Sequence, residues 1–265
     1  MTYRNEIIEA IHLGLRRGYN RKLEFRNKWT AFEGKMTEYL LTVSVANELH
    51  DLRTYGKNTA IELEYPLYQF YNNAFPEAIW TNQDDLFAEH EYLCREYSAE
   101  ATKERMDITV MFEERINFSK NYRSLHGIEI KAINTGYGGV LKDIERLAQS
   151  MIENQDVTGE NSIASCYSAF VKSYSNGTRP TLRAEIDHKK QEIQNQLDAR
   201  LSNQIRNNQA YKDLEFNIIP KDIDCTPFED YYEQNKHIPD FELGWDPDSE
   251  TGSILGVVIE IIRKQ

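Results

Sequence analysis

Cysteine is scarce in this chain. Cys94, Cys166 and Cys225 are the only three in 265 residues, and none forms a C-x-x-C pair. That argues against a disulfide framework and a cysteine-built zinc site, and points to a reducing, cytoplasmic compartment. Long apolar runs are missing too. The richest, Leu40 to Val45 and Ile254 to Ile262, are too short or too interrupted to cross a bilayer, so no membrane partner is expected. The first residues, Met1 to Glu6, hold no apolar stretch, and no secretory signal is expected. Basic excess is absent. A formal charge of -12 weighs against a passive nucleic-acid coat, though not against an enzyme that binds DNA locally around metal ions. The glycine-rich stretch from Asn134 to Gly139 lacks the Gly-Lys-Ser/Thr ending of a phosphate-binding loop and reads as a turn. Ser44, Ser165 and Ser168 have no neighbouring base at triad-like positions, so acyl transfer is not indicated. No repeat, low-complexity segment or linker divides the chain, which reads as a single domain over 1–265.

What is present suffices for a large core: 40% of the residues are apolar, with 11 Phe, 16 Tyr and 3 Trp. Apolar periodicity predicts helices over 3–18, stopped by Gly18, and over 31–52, 139–153 and 181–207, with a further helix at 84–103. Alternating or β-branched runs predict strands over 60–66, 106–112, 126–133, from about 164 to 174, and 253–262. The polar stretch 113–125 and most of the last 55 residues read as loops. The expectation is an α/β fold, a central mixed sheet flanked by helices. The stripe of the 181–207 helix (Leu182, Ile186, Ile193, Leu197, Leu201 and Ile205) is thin, which suits packing on a surface or a homodimer.

The chemistry concentrates in two strands. Side chains alternate along a strand, so Glu129 and Lys131 share one face while Ile128, Ile130 and Ala132 share the other. The same rule puts Arg105, Asp107 and Thr109 on one face, and Met106, Ile108 and Val110 on the other. If the strands pair, two carboxylates and an ammonium meet on one surface. Two carboxylates make a hard-oxygen site for a divalent metal, and the lysine can hold a water or a phosphate oxygen. Glu-x-Lys alone is common: Glu33-Gly34-Lys35 is a second match, set aside because it opens a helix. A third acid strengthens the set. Glu38 lies on or beside the apolar face of its helix, with Leu41, Thr42 and Val45 three, four and seven positions on.

This order of elements resembles the PD-(D/E)xK, or restriction-endonuclease-like, nuclease family. The matches are Glu38 on the first core helix, Asp107 in Arg105-Met106-Asp107, Glu129-Ile130-Lys131, and the following helix with Asp143-Ile144-Glu145-Arg146-Leu147. Met106 stands where the family has proline. The resemblance covers about 33–175, leaving an N-terminal helical segment, 1–32, and a C-terminal helix and strand, 176–265, beside the core. It implies a metal-dependent endonuclease acting on DNA, in restriction, phage defence or repair. It implies that Asp107, Glu129 and the carbonyl of Ile130 hold Mg²⁺, with Mn²⁺ as a substitute. Glu38 would bind the metal through water or bind a second ion, and Lys131 would orient the attacking water. Two other readings stand beside it: an inactive binding module on the same fold, and an RNA-cleaving enzyme. Arg16, Arg17, Arg21, Lys22 and Arg26, interleaved with Tyr19 and Trp29, are candidates to grip a phosphate backbone, though a solvated helix end explains them more simply. His126, near the site strand, could touch substrate, though a structural role explains it more simply.

Overall fold

A computed structural model describes residues 2–26, 35–51, 59–72, 104–116, 119–158, 163–175, 182–223 and 252–264. The helix expected at 84–103 lies outside the described residues. Two helices open the chain, α1 (Thr2–Arg26) and α2 (Lys35–Asp51). Then come β1 (Thr59–Pro66), the short α3 (Leu67–Asn72), β2 (Arg105–Ile116), β3 (Ser119–Lys131), α4 (Tyr137–Thr158) and β4 (Ser165–Ser175). The rest is α5 (Arg183–Leu201), β5 (Leu214–Asp222) and β6 (Gly252–Arg263).

Gly18 does not stop α1. A Cβ on Gly14 would lie 2.4 Å from the Val45 Cα, and one on Gly18 would lie 2.9 Å from the Leu41 Cα. These glycines let the backbones of α1 and α2 touch, so the helix runs on to Arg26. The pairing of Gly14 with Val45 and Gly18 with Leu41 makes the two helices antiparallel.

The strands form one six-stranded mixed sheet in the order β1-β2-β3-β4-β6-β5. β1, β2 and β3 are an antiparallel meander, α4 crosses over to place β4 parallel to β3, and β6 and β5 continue antiparallel. β2 and β3 extend through the polar stretch read as loop, pairing as far as Ile116 with Ser119. Ladder hydrogen bonds hold a strand there without an apolar pattern. β5 also falls in a segment read as loop. Among the described residues it pairs only with β6, and it carries Pro220, which an edge strand tolerates.

Each sheet face buries its own core. α1 and α2 cover Ile108, Val110, Ile128, Ile130, Tyr167, Ala169 and Val258. α4 and α5 cover Cys166, Phe170, Val257, Ile259 and Ile261. The thin stripe of α5 is covered within the chain: Ile186, Ile193, Leu197, Leu201 and Ile205 are buried in this second core and only Leu182 is exposed. The ground for expecting a dimer is therefore gone. Among the described residues no helix is long and apolar enough to cross a membrane.

Candidate active site

Asp107 and Glu129 meet where the β2–β3 ladder ends. Thr109 pairs with Gly127 and Ile108 with Ile128, and the register stops there. At the next step a side chain replaces the main chain: Ile130 N–H donates to Asp107 Oδ2 at 2.7 Å. On the other flank, the β1–β2 register skips Glu64, whose φ is 51°. The alternation of β2 breaks at this point. Met106 joins the core under α4 while Ile108 joins the core under α1 and α2, so the two do not share a face as the sequence pattern suggested. Gly127 leaves the space that Met106 takes; a Cβ there would lie 3.0 Å from Met106 Cε and from Phe70 Cζ. In a strand a residue's N–H and C=O point to the same edge, so the Ile130 carbonyl faces the Asp107 side.

Glu129 and Lys131 share a face as expected, and that face is roofed by α4. Glu129 is only 2% exposed. Arg146 Nη2 lies 2.6 Å from Glu129 Oε1, and Lys131 Nζ lies 3.0 Å from Asp143 Oδ2. Arg146 is also 3.4 Å from both Asp143 and Glu104. The Arg146–Glu129 contact is close but not aligned as a hydrogen bond. Glu129 Oε1, Thr109 Oγ1, Ser168 Oγ and Arg146 Nε are all buried and make no hydrogen bond among the described residues. Thr109 lies opposite Gly127 and Ser168 opposite Glu129, so these orphaned oxygens line one face.

The electrostatics follow from that crowding. Burial pushes the Asp107 carboxyl up to about 6, against the pull of the Ile130 N–H and Lys131, with the charge of Glu38 adding to the rise. Burial, then the charge of Asp107, holds Glu129 well above the ordinary carboxylate range, with Arg146 opposing. Burial pulls Lys131 down, but Asp143, Glu129 and Asp107 outweigh it and keep the ammonium above its ordinary value. Two carboxylates that repel each other, an orphaned carboxylate oxygen and a facing carbonyl suit a hard divalent cation. Among the described residues no three His, Cys, Asp or Glu side chains stand close enough to form a metal cluster by themselves. The groups that could face a cation here are two carboxylates and a carbonyl, with Glu38 in the first turn of α2, half-buried and felt electrostatically by Asp107.

Asp143 and Arg146 escaped the sequence-based choice of site residues, although their helix fitted the family pattern. The signal was there: Asp143 lies three residues after Val140 and four before Leu147, on the buried stripe of α4. Ser165 does have a base beside it, since His126 Nδ1 lies 2.8 Å from Ser165 Oγ, which donates to Tyr167 Oη at 2.8 Å. All three are buried, and burial lowers the imidazole to about 4, so the chain is a neutral core network rather than a nucleophile. Of the basic candidates, Arg17 is bonded to Glu48, and Arg21 Nη1 reaches Ser44 Oγ at 3.4 Å. Arg16 is exposed and Lys22 half-buried, and the Arg26 side chain lies outside the described residues. No protein-family model, no curated protein and no solved structure matches the chain.

Proposed function

We propose that the protein is a metal-dependent endonuclease that hydrolyses phosphodiester bonds of DNA, with Mg²⁺ or Mn²⁺ held by Asp107, Glu129 and the Ile130 carbonyl. The observation that carries this reading is the meeting of Asp107 and Glu129 at the broken end of the β2–β3 ladder, both carboxyls raised and one oxygen orphaned. The order α2, antiparallel meander β1–β3, then α4 packed on the sheet supports it, because the PD-(D/E)xK resemblance implies that arrangement. A divalent ion at this place supplies Lewis acidity and a more acidic water. Asp107 and Glu129 present the oxygens, and the Ile130 N–H fixes which Asp107 oxygen stays turned inward. Lys131 stays protonated and steadies charge developing on the phosphate. Glu38 orders water on the α2 side. An enzyme of this kind suits restriction, phage defence or repair.

One observation favours a second reading, a binding module without catalysis. Glu129 and Lys131 are already engaged by Arg146 and Asp143, which balances the site without a cation. Cleavage of plasmid, linear duplex, single-stranded DNA and RNA with Mg²⁺ or Mn²⁺ separates the two, and the preferred strand separates DNA from RNA chemistry. The expected result is metal-dependent cutting that falls roughly 100-fold or more in Asp107→Ala and Lys131→Ala. No cutting on any substrate, with no calorimetric metal uptake, would discard the nuclease reading.

A further inference from the structure

Arg146 is held by three acids and held well by none. Its shortest contact, 2.6 Å to Glu129, is misaligned, and its contacts to Asp143 and Glu104 are both 3.4 Å. Its Nε is buried without a hydrogen bond among the described residues. Glu104 is about half exposed, so the guanidinium can turn outward without losing acidic company. A planar guanidinium that can leave a carboxylate is also a strong ligand for a phosphate.

We propose that Arg146 holds Glu129 in the place of a divalent cation and yields it when cation and phosphodiester enter together. The proposal rests on the metal-dependent reading of the site. With Arg146 on Glu129, the cation must displace a like charge from its own ligand, so binding is weak in the free protein. A substrate phosphate offers Arg146 another anion and thereby frees Glu129. Cation and substrate then strengthen each other's binding by the same factor, as linkage requires. Arg146 is in this sense a positioning residue for the cation, and its second contact is the substrate.

Calorimetric titration with Ca²⁺, a hard cation suited to the same oxygens, tests this with and without a short DNA duplex. Arg146→Met is expected to bind Ca²⁺ roughly tenfold more tightly than wild type, a typical size for coupled sites. The duplex should tighten Ca²⁺ binding to wild type more than to Arg146→Met. Lys142→Met, which removes an exposed charge one turn away, should leave the affinity unchanged. The melting temperature of Arg146→Met should rise more on adding Ca²⁺ than that of wild type, because the cation replaces the lost partner of Glu129. Unaltered or weaker Ca²⁺ binding in Arg146→Met would overturn the role given to Arg146 while leaving the metal site standing. Failure of Arg146→Met to fold even with Ca²⁺ would make it a structural residue and overturn the proposal too. Absence of Ca²⁺ binding in both proteins would remove the metal reading itself, and the proposal with it.

Discussion

Asp107 weakens the fold while its charge has no cation beside it. Its folded pKa of about 6 lies above the ordinary 3.8, so the native state prefers the proton. Between these values the native protein binds more protons than the unfolded chain, and stability from this group is lost as pH rises through 6. Asparagine keeps the shape of the neutral acid and can still accept from the Ile130 N–H. Asp107→Asn is therefore expected to raise metal-free stability at pH 7.5 by on the order of 1–2 kcal/mol, while abolishing cation uptake. The gain should shrink at pH 5 and vanish below about 4, where the unfolded chain also takes the proton. Thermal unfolding at several pH values checks this, and a variant less stable at pH 7.5 would refute it. His12 and His126, both lowered to about 4 by burial, change with pH in wild type and variant alike and cancel in the comparison. At this scale the sequence pattern reveals what one strand carries. The shared face of Glu129 and Lys131 is legible because strand periodicity is 2. Asp143 and Arg146 are not legible as partners, because they arrive from another element and only the tertiary fold says which face α4 covers. Met106 is misread because the rule of alternation fails where Asp107 trades a ladder bond for a side-chain bond.

Between elements, the α1–α2 contact depends on two missing side chains. At Gly14 the new Cβ would meet Val45 backbone atoms at 2.4 and 2.7 Å, which cannot turn aside as a side chain can. Gly14→Ala is expected to cost about 1–3 kcal/mol through forced separation of the helices. Gly138, in the first turn of α4, has nothing within 4 Å of its would-be Cβ. Gly138→Ala should instead be neutral or stabilising by up to about 1 kcal/mol, since alanine favours helix. Denaturant unfolding of the two variants should give opposite signs, and equal signs would refute the close-crossing argument. The pair also shows why Gly18 reads as a helix stop: a glycine that ends a helix and one that lets another helix approach look the same in one sequence. Apolar residues at helical spacing make α2, α4 and α5 legible, and α4 has the clearest apolar face. β5 is not, because Asn217 and Pro220 interrupt an edge strand whose pairing comes from β6.

Across the whole molecule, the middle of the chain and both of its flanks share one sheet. β6, from the last residues of the chain, pairs with β4 on one side and β5 on the other. α1, from the first residues, lies over β6 and β4, and Arg4 Nε donates to fully buried Glu260 Oε1 on β6 at 2.6 Å. The family resemblance marks out 33–175, but that interval cannot close either core. Without α1, Ile108, Ile128, Ile130 and Tyr167 lose the residues Ile7, Ile11 and Leu15 that cover them. Without β6, β4 becomes a bare edge, and the core under α4 loses Val257, Ile259 and Ile261. Each buried aliphatic side chain contributes about 1.5–3 kcal/mol, so losing these six removes about 9–18 kcal/mol, as much as the 5–15 kcal/mol stability typical of a whole domain. A fragment of residues 33–175 is therefore expected to show no cooperative thermal transition by circular dichroism and no protected amides in β3 or β4. The full chain should show one transition for both faces of the sheet. A cooperative, protected fragment would mean that the flanks are appendages. If the fragment does not fold, Asp107 and Glu129 can be brought together only in a chain that carries both of its ends.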